Sequence, residues 1–441
     1  MIIMKKVFIL GGGLTGLVLA EQLQGQGFDV TMLEKESVVG GMCKTKELGG
    51  VRYDLGPHKF ASFEKEAIDY FVDIVKRPIV VYKSSKIFLK GLHLQYPIRI
   101  TEILRKMPMV GIRCGIGYMC AFFRLDGNTY EKYMKKRFGG YVYEMAFEGY
   151  AKKIWGDPKH LDAELAKTRM AASSLLDMLK GMLTDDGSHS FGNFFYCSGG
   201  IGDFINAIKD KAVSSGVKIY TDVSDINIAP GPKEICFHEG TKGMSMSYDV
   251  LVSTIKPKDL SGMLRMDMAK KLDMFNSRDL RLFYYLIDKG KVNFDDTWRF
   301  FPEENIVFNR ISKNWSPNMV PEGKICMCAE VTNASVSVDS IHNEVFNYLG
   351  ILKSDVDVMW EDSIEGAYPI YHVGCKVDVE CLMEAFSRYD IYCIGRHACH
   401  NYNNMDHAIL EAKDLAEIIK SDGTVDDWMD NMSHYEWKIV D

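Results

Sequence analysis

A glycine-rich turn between two short apolar runs constrains the fold of this chain more than any other feature. Lys6–Leu10 is apolar, GGGLTG at 11–16 turns the chain, and residues 17–25 have helical spacing. The second apolar run, Asp29–Leu33, ends at Glu34, which stands 23 residues after Gly11. Strand, glycine turn, helix and a strand ending in an acid form the βαβ unit of a dinucleotide site. The sequence therefore predicts an α/β fold with a Rossmann-type domain.

The residues of this turn have different roles in the predicted site. Gly11 permits the tight turn, Gly13 lets a pyrophosphate approach the backbone, and Gly16 lets helix and strand pack closely. The helix N-terminus offers free amides and a partial positive charge to the phosphates. An acid at the end of the second strand would accept hydrogen bonds from the ribose. The contacts predicted here are Gly11, Gly13, Leu14, Thr15, Gly16, Glu34 and Lys35. The alternative is a glycine-rich turn in a sheet that binds nothing.

A second glycine pair, Gly40-Gly41, follows the ribose acid in the sequence VVGGMCKT at 38–45. FAD lies extended, and its ribityl and isoalloxazine groups need further close approach of the backbone. Taken alone, the pair could be an ordinary turn. Together with the first motif it favours FAD over NAD as the cofactor.

Length and composition indicate the class of protein. With 441 residues, 47% hydrophobic and 26% charged, the chain suits two interleaved globular domains. A net charge of −7 gives no general attraction to nucleic acid. The eleven cysteines are odd in number and scattered, which indicates free thiols and a reducing cytoplasm. We expect no signal peptide and no metal, although His397, His400 and His407 lie close together in sequence.

The uncharged stretch 114–123 permits two interpretations. It is too short to span a bilayer, which takes about 20 helical residues. A core helix is favoured, and a helix lying on a membrane surface is the alternative. Nearby, Lys152 and Lys153 are expected on a solvated face and Trp155 in the core.

The order of apolar patterns predicts two interleaved domains. Residues 101–183 read as a largely helical insertion, and 260–388 as rich in strands, including 306–311. A final strand near 391 precedes a helix over 406–419, which Asp406 is expected to cap. We assign residues 1–95, 192–258 and 388–422 to the cofactor domain. Residues 96–191 and 259–387 form the substrate domain, and 423–441 a tail.

Several segments resemble the flavin amine oxidase and protoporphyrinogen oxidase superfamily, and within it the UDP-galactopyranose mutases. The matching pieces extend from the glycine turn to about residue 416. They include GPHKF at 56–60, LHLQYP at 92–97, YAKKIWGDP at 150–158, the stretches that end at Arg169 and Arg310, AYPIY, and NYNNMDH. The resemblance implies further FAD contacts at Met42, Gly56, Pro57, His58, Val223, Gly395, Arg396, Asn404, Met405 and Asp406.

The resemblance also implies a substrate and a reaction. Arg169 and Arg310 would hold the diphosphate of a nucleotide sugar, which planar guanidinium groups match bidentately. Tyr368 and Tyr402 would donate hydrogen bonds to it, and Tyr96 would lie near the uridine. In that reaction the N5 atom of reduced flavin attacks the anomeric carbon, UDP leaves and returns, and the sugar ring isomerises.

In this reading His58, Arg169 and Arg310 are the catalytic residues, with His58 tuning the flavin. NAD(P)H could reduce the cofactor. The alternative function is an FAD oxidoreductase of the amine oxidase type, which takes hydride from a small substrate. The two arginines favour the mutase reading, because such an oxidase needs an apolar or aromatic cage over the flavin. A flavin-binding protein without turnover is a third alternative, and nothing in the sequence supports it.

Overall fold

The computed structural model describes residues 4–96, 100–169 and 192–435. In chain order the first half comprises β1 (Lys6–Leu10), α1 (Leu14–Gln24), β2 (Asp29–Leu33), β3 (Thr45–Leu48), β4 (Val51–Asp54), α2 (Lys65–Val75), β5 (Ile79–Tyr82), β6 (Ser85–Leu89), β7 (Leu92–Gln95), α3 (Ile100–Lys106), α4 (Pro108–Ala121), α5 (Tyr130–Phe138), α6 (Gly140–Ala146), α7 (Glu148–Ile154), α8 (Ala163–Arg169), β8 (Asn193–Tyr196) and α9 (Gly202–Ser214).

The second half comprises β9 (Lys218–Tyr220), β10 (Val223–Ala229), β11 (Glu234–Glu239), β12 (Lys242–Ser247), β13 (Val250–Ser253), α10 (Pro257–Met263), α11 (Ala269–Leu272), β14 (Ser277–Asp288), β15 (Trp298–Phe300), β16 (Arg310–Lys313), β17 (Lys324–Val331), α12 (Val338–Leu349), β18 (Val356–Pro369), α13 (Cys375–Ser387), β19 (Ile391–Cys393), α14 (Gly395–Ala398), α15 (Met405–Lys420) and α16 (Val425–Ser433).

A five-stranded parallel sheet in the order β19-β13-β1-β2-β9 forms the centre of the predicted cofactor domain. Its central strands are apolar runs, because both faces of the sheet are covered. Helices α1, α9 and α15 lie on one face, and the antiparallel sheet β10-β11-β12 packs against the other. Helix α1 is buried along most of its length and packs against α9 and α15. The chain therefore returns twice to the first βαβ unit, which brings residues near 200 and 405 beside the glycine turn. The predicted Rossmann-type α/β fold is confirmed.

A seven-stranded sheet in the order β18-β14-β17-β16-β15-β6-β7 forms a second layer. Its pairs are antiparallel except for β15 with β6. Strands β6 and β7 belong to the first sequence segment that we assigned to the cofactor domain, yet they pair within this sheet. The domain boundaries stay a prediction.

The described part of 101–183 is helical, as predicted, while 170–183 lies outside the described residues. Three local expectations were wrong. The strand expected at 306–311 begins only at Arg310. Lys153 is half-buried, and its Nζ donates to the carbonyl oxygen atoms of Phe301 and Phe308, at 2.7 and 3.3 Å. Burial lowers the pKa of Lys153 to about 7.

The third wrong expectation concerns α4, which was expected in the core. Of its residues only Ala121 is buried, and its large apolar side chains face solvent. Among the described residues, no helix combines the length and the apolar character that a membrane crossing needs.

Candidate functional site

The glycine turn has the geometry that a dinucleotide requires. Gly11 adopts a φ of +99°, and its N–H donates to the Leu33 carbonyl oxygen at 2.8 Å. A Cβ atom on Gly16 would lie 2.3 Å from the Gly11 carbonyl oxygen, so helix and turn can pack this closely only without a side chain. A Cβ on Gly13 would meet no atom within 4 Å, although Gly13 directly precedes α1. The backbone is therefore open at the position predicted for the pyrophosphate.

Glu34 is buried directly after β2, and its carboxylate stabilises the glycine turn through hydrogen bonds. Its carboxylate accepts from the N–H groups of Gly12 at 2.7 Å and Glu36 at 2.9 Å. The ribose contact of Glu34 stays a prediction. Lys35 is exposed beside it, and Val223 is buried with its N–H donating to the Glu34 carbonyl oxygen at 3.2 Å.

The second glycine pair packs directly on the first turn. The N–H of Gly40 donates to the Gly12 carbonyl oxygen at 2.7 Å, and a Cβ on Gly41 would lie 3.2 Å from the Gly13 Cα. At the other end of the chain, a Cβ on Gly395 would lie 2.9 Å from the Thr15 hydroxyl oxygen. Three distant glycine segments thus meet where the sequence predicted an extended cofactor.

A cavity of about 260 Å³ opens from this junction towards the seven-stranded sheet. The predicted site residues that line it are Gly13, Leu14, Thr15, Gly40, Gly41, Met42, Gly56, Pro57, His58, Arg169, Arg310, Tyr368, Gly395, Arg396, Tyr402, Asn404 and Met405. Those that do not line it are Gly11, Gly16, Glu34, Lys35, Tyr96, Val223 and Asp406. The ring centre of Tyr96 lies 4.9 Å from that of Phe300.

Arg310 is paired with a carboxylate that sequence reasoning missed. It faces Glu330 across β16 and β17, and donates to both carboxylate oxygens at 2.5 and 2.9 Å. Burial lowers the pKa of Arg310, but the charge of Glu330 more than offsets this, so the pKa lies above its ordinary value. The Tyr368 hydroxyl lies 3.5 Å from the same carboxylate. The available signal was the lone acid in the otherwise apolar sequence ICMCAEV.

Two further guanidinium groups gather around Tyr402. The Cζ atoms of Arg169 and Arg396 lie 5.0 and 4.9 Å from the centre of its ring. The Tyr402 ring lies nearly parallel to that of Tyr368, with centres 6.1 Å apart. Arg396 also donates to the carbonyl oxygen of Asn403 at 2.8 Å. The cavity is thus lined by three arginines, Lys59 and the Glu330 carboxylate, a surplus of positive charge that suits an anion with two charges.

His58 lies on the same wall. Its Nδ1 atom is 3.2 Å from the Gly56 carbonyl oxygen. Burial lowers the pKa of His58 to about 4, and the charges of Arg396 and Arg310 act in the same direction. The imidazole is therefore neutral at pH 7 and can accept or donate one hydrogen bond without adding charge.

The start of α15 differs from the prediction. Asn404, and not Asp406, precedes the helix, and its N–H donates to His407 Nδ1 at 3.2 Å. Asp406 is buried in the first turn, where the negative charge of its carboxylate is attracted to the positive end of the helix dipole. The other two histidines of this region contact backbone carbonyl oxygens at 3.3 Å, His397 that of Gly366 and His400 that of Ile370.

Comparisons with known proteins agree with this geometry. Residues 9–74 match the family described as NAD(P)-binding Rossmann-like domain. A probable UDP-galactopyranose mutase from Klebsiella pneumoniae is 25% identical over 174 residues, which are 37% of this chain and 44% of that protein. A 1-hydroxycarotenoid 3,4-desaturase from a Flavobacterium species is 46% identical over 57 residues, which are 13% of this chain and 12% of that protein. The chain thus spans less than half the length of either curated relative.

The agreement with solved structures extends over nearly the whole chain. The structure of a reduced UDP-galactopyranose mutase aligns with a TM-score of 0.85 and 22% identity, covering 97% of this chain and 98% of the other. Cyclohexylamine oxidase from Brevibacterium oxydans aligns with a TM-score of 0.68 and 12% identity, covering 95% and 99%. The predicted fold is thus confirmed as one that this chain shares, over nearly its whole length, with these two solved structures.

Proposed function

We propose, from the mutase-like flavoprotein fold that this chain shares, that it is an FAD-dependent enzyme acting on a nucleotide sugar. The cofactor would lie with its pyrophosphate over Gly13 and its ring system towards His58. The open Cβ position at Gly13 and the glycine contacts of Gly41 and Gly395 support this placement. They leave bare backbone along the path that an extended dinucleotide would take.

One observation carries the substrate proposal: three guanidinium groups and three tyrosines line the same cavity as the cofactor turn. A nucleotide-sugar diphosphate carries about two negative charges, and its oxygens match planar guanidinium groups. Arg169 and Arg310 would bind the diphosphate, with hydrogen bonds from Tyr368 and Tyr402. A protonated amine or an apolar hydrocarbon would gain nothing from these charges.

The reaction that fits is the isomerisation of the sugar without net redox change. Reduced FAD would supply the nucleophile, since burial raises the pKa of Cys43, the thiol among the described lining residues, to about 12. Arg169 and Arg310 would stabilise the diphosphate as it leaves the anomeric carbon, and hold it close for its return. Glu330 would keep the Arg310 guanidinium in a fixed plane. The neutral imidazole of His58 would face the flavin ring system without adding a positive charge there.

The experiment compares oxidised and reduced protein. We expect the purified chain to carry FAD, and UDP to raise its melting temperature. We expect conversion of a UDP-hexose only after dithionite or NAD(P)H has reduced the flavin. Chromatography of the nucleotide sugars measures this conversion. Turnover of an amine by the oxidised protein with release of peroxide would overturn the proposal in favour of an oxidoreductase. A colourless protein that takes up no flavin would contradict both functions.

A further inference from the structure

Helix α4 presents its large apolar side chains to solvent. Met109, Ile112, Ile116 and Met119 are between 53 and 64% exposed. Their spacing of three and four residues places them on one side of the helix, within an arc of roughly 80° at 100° per residue. Phe122 and Phe123 continue this surface past the end of α4, and Phe123 is 90% exposed. We call these six residues the α4 apolar face.

Where α4 approaches α6, it presents Gly117. A Cβ on Gly117 would lie 3.3 Å from the Cβ of Tyr141, and one on Gly139 would lie 2.6 Å from the Gly117 carbonyl carbon. The helix therefore packs on α6 through its backbone, and its large apolar side chains lie on the solvent side. A helix of an ordinary water-facing surface has the reverse arrangement, with large apolar residues inward. Contiguous exposed apolar surface of this kind marks a site of contact with a protein or a membrane.

The charges around the α4 apolar face decide between these partners. Residues 103–125, between Glu102 and Asp126, contain Arg105, Lys106, Arg113 and Arg124, although the whole chain carries a net charge of −7. Lys106 is paired with Glu102 at 2.8 Å, which leaves the three arginines. Arg105, Arg113 and Arg124 are exposed. Lys136 adds another cation, because its Nζ donates to the Phe122 carbonyl oxygen at 3.2 Å.

We propose that the α4 apolar face inserts into the surface of an anionic bilayer. The apolar side chains would enter the boundary between headgroups and acyl chains, and the cations would contact lipid phosphates. The 14 residues of α4 are too few to cross a bilayer, so the helix would lie parallel to the surface. A second copy of this chain fits less well, because a twofold interface would bring two surfaces of the same positive charge together. The inference does not depend on the proposed function.

The test is sedimentation of the full chain with vesicles. We expect it to bind vesicles of phosphatidylglycerol and phosphatidylcholine, to bind pure phosphatidylcholine at least tenfold more weakly, and to be released in part by high salt. The variant Ile112→Ser/Ile116→Ser/Met119→Ser should lower the partition coefficient at least tenfold. The variant Arg105→Gln/Arg113→Gln/Arg124→Gln should remove the preference for anionic lipid.

The matched control is Leu352→Ser/Val377→Ser, which removes two apolar side chains that are 70 and 61% exposed elsewhere on the surface. It should bind vesicles as the parent chain does. Melting curves and flavin content of every variant show whether it is folded. Failure of the folded parent chain to bind anionic vesicles would overturn the proposal, and so would unchanged binding of the triple serine variant. A dimer in solution that the triple serine variant dissociates, without vesicle binding, would assign the face to a second copy.

Discussion

Removal of the Arg310 guanidinium tests the core of the proposed site, and the structure shows why a simple substitution would mislead. Glu330 is only 2% exposed, and its carboxylate receives both hydrogen bonds from Arg310. In Arg310→Ala this carboxylate stays buried without its cation. Loss of one partner of a buried pair costs about 3–5 kcal/mol, so we expect the free energy of unfolding to fall by that amount.

The double variant Arg310→Ala/Glu330→Gln separates stability from binding. It removes the orphaned charge together with its partner, and replacement of both members of a buried pair can be nearly neutral. We therefore expect most of the stability to return. The loss of affinity for UDP should persist at about 2–5 kcal/mol, roughly 30-fold to several thousand-fold in Kd. Urea unfolding measures the first quantity and calorimetric titration with UDP the second, with flavin content followed by absorbance.

A neighbouring ion pair supplies the matched control. Arg299 on β15 donates to the buried Asp296 at 2.6 Å, and neither residue lines the cavity. Arg299→Ala/Asp296→Asn should leave the affinity for UDP unchanged. The reasoning fails if a folded Arg310→Ala/Glu330→Gln protein binds UDP as tightly as the parent, or if the control weakens UDP binding equally.

Two further predictions concern the cofactor turn and acid stability. Gly13→Ala should fold but bind FAD at least tenfold more weakly, because its Cβ enters the space left for the pyrophosphate. The control Gly25→Ala, at the other end of α1, should keep FAD. Equal flavin content in the two variants would refute the role of the turn in binding the pyrophosphate. The pKa of His58 and that of His400 are lowered to about 4 by burial, from an ordinary 6.5. The unfolded chain therefore takes up more protons between pH 6.5 and 4, so their contribution to stability is full above pH 6.5 and falls as the pH drops towards 4. His400→Gln should make urea unfolding less dependent on pH in this window, and an unchanged dependence would contradict the shift.

The sequence by itself determined the βαβ unit, because everything it needs is local: apolar runs of the right length, glycines at fixed offsets and an acid at the strand end. The resemblance to a family added Arg169, Arg310, Tyr368 and Tyr402, and the structure brings all four to one cavity. The glycine turn and these side chains are far apart in the chain. Arg310 and Tyr368 lie on strands of the seven-stranded sheet, so their meeting with the turn depends on how that sheet packs against the cofactor domain, which no local pattern encodes.

Only the tertiary structure decided which charged side chains face one another and which apolar side chains are buried. Glu330 opposes Arg310 because of the register of two strands, and strand register depends on contacts between residues distant in sequence. Lys153 looks solvated in sequence, yet the loop between β15 and β16 covers it with carbonyl oxygens. The hydropathy of 114–123 is the same whether the helix is buried or exposed. In the folded chain Gly117 lets α4 approach α6 closely, and the large apolar side chains of the helix face solvent.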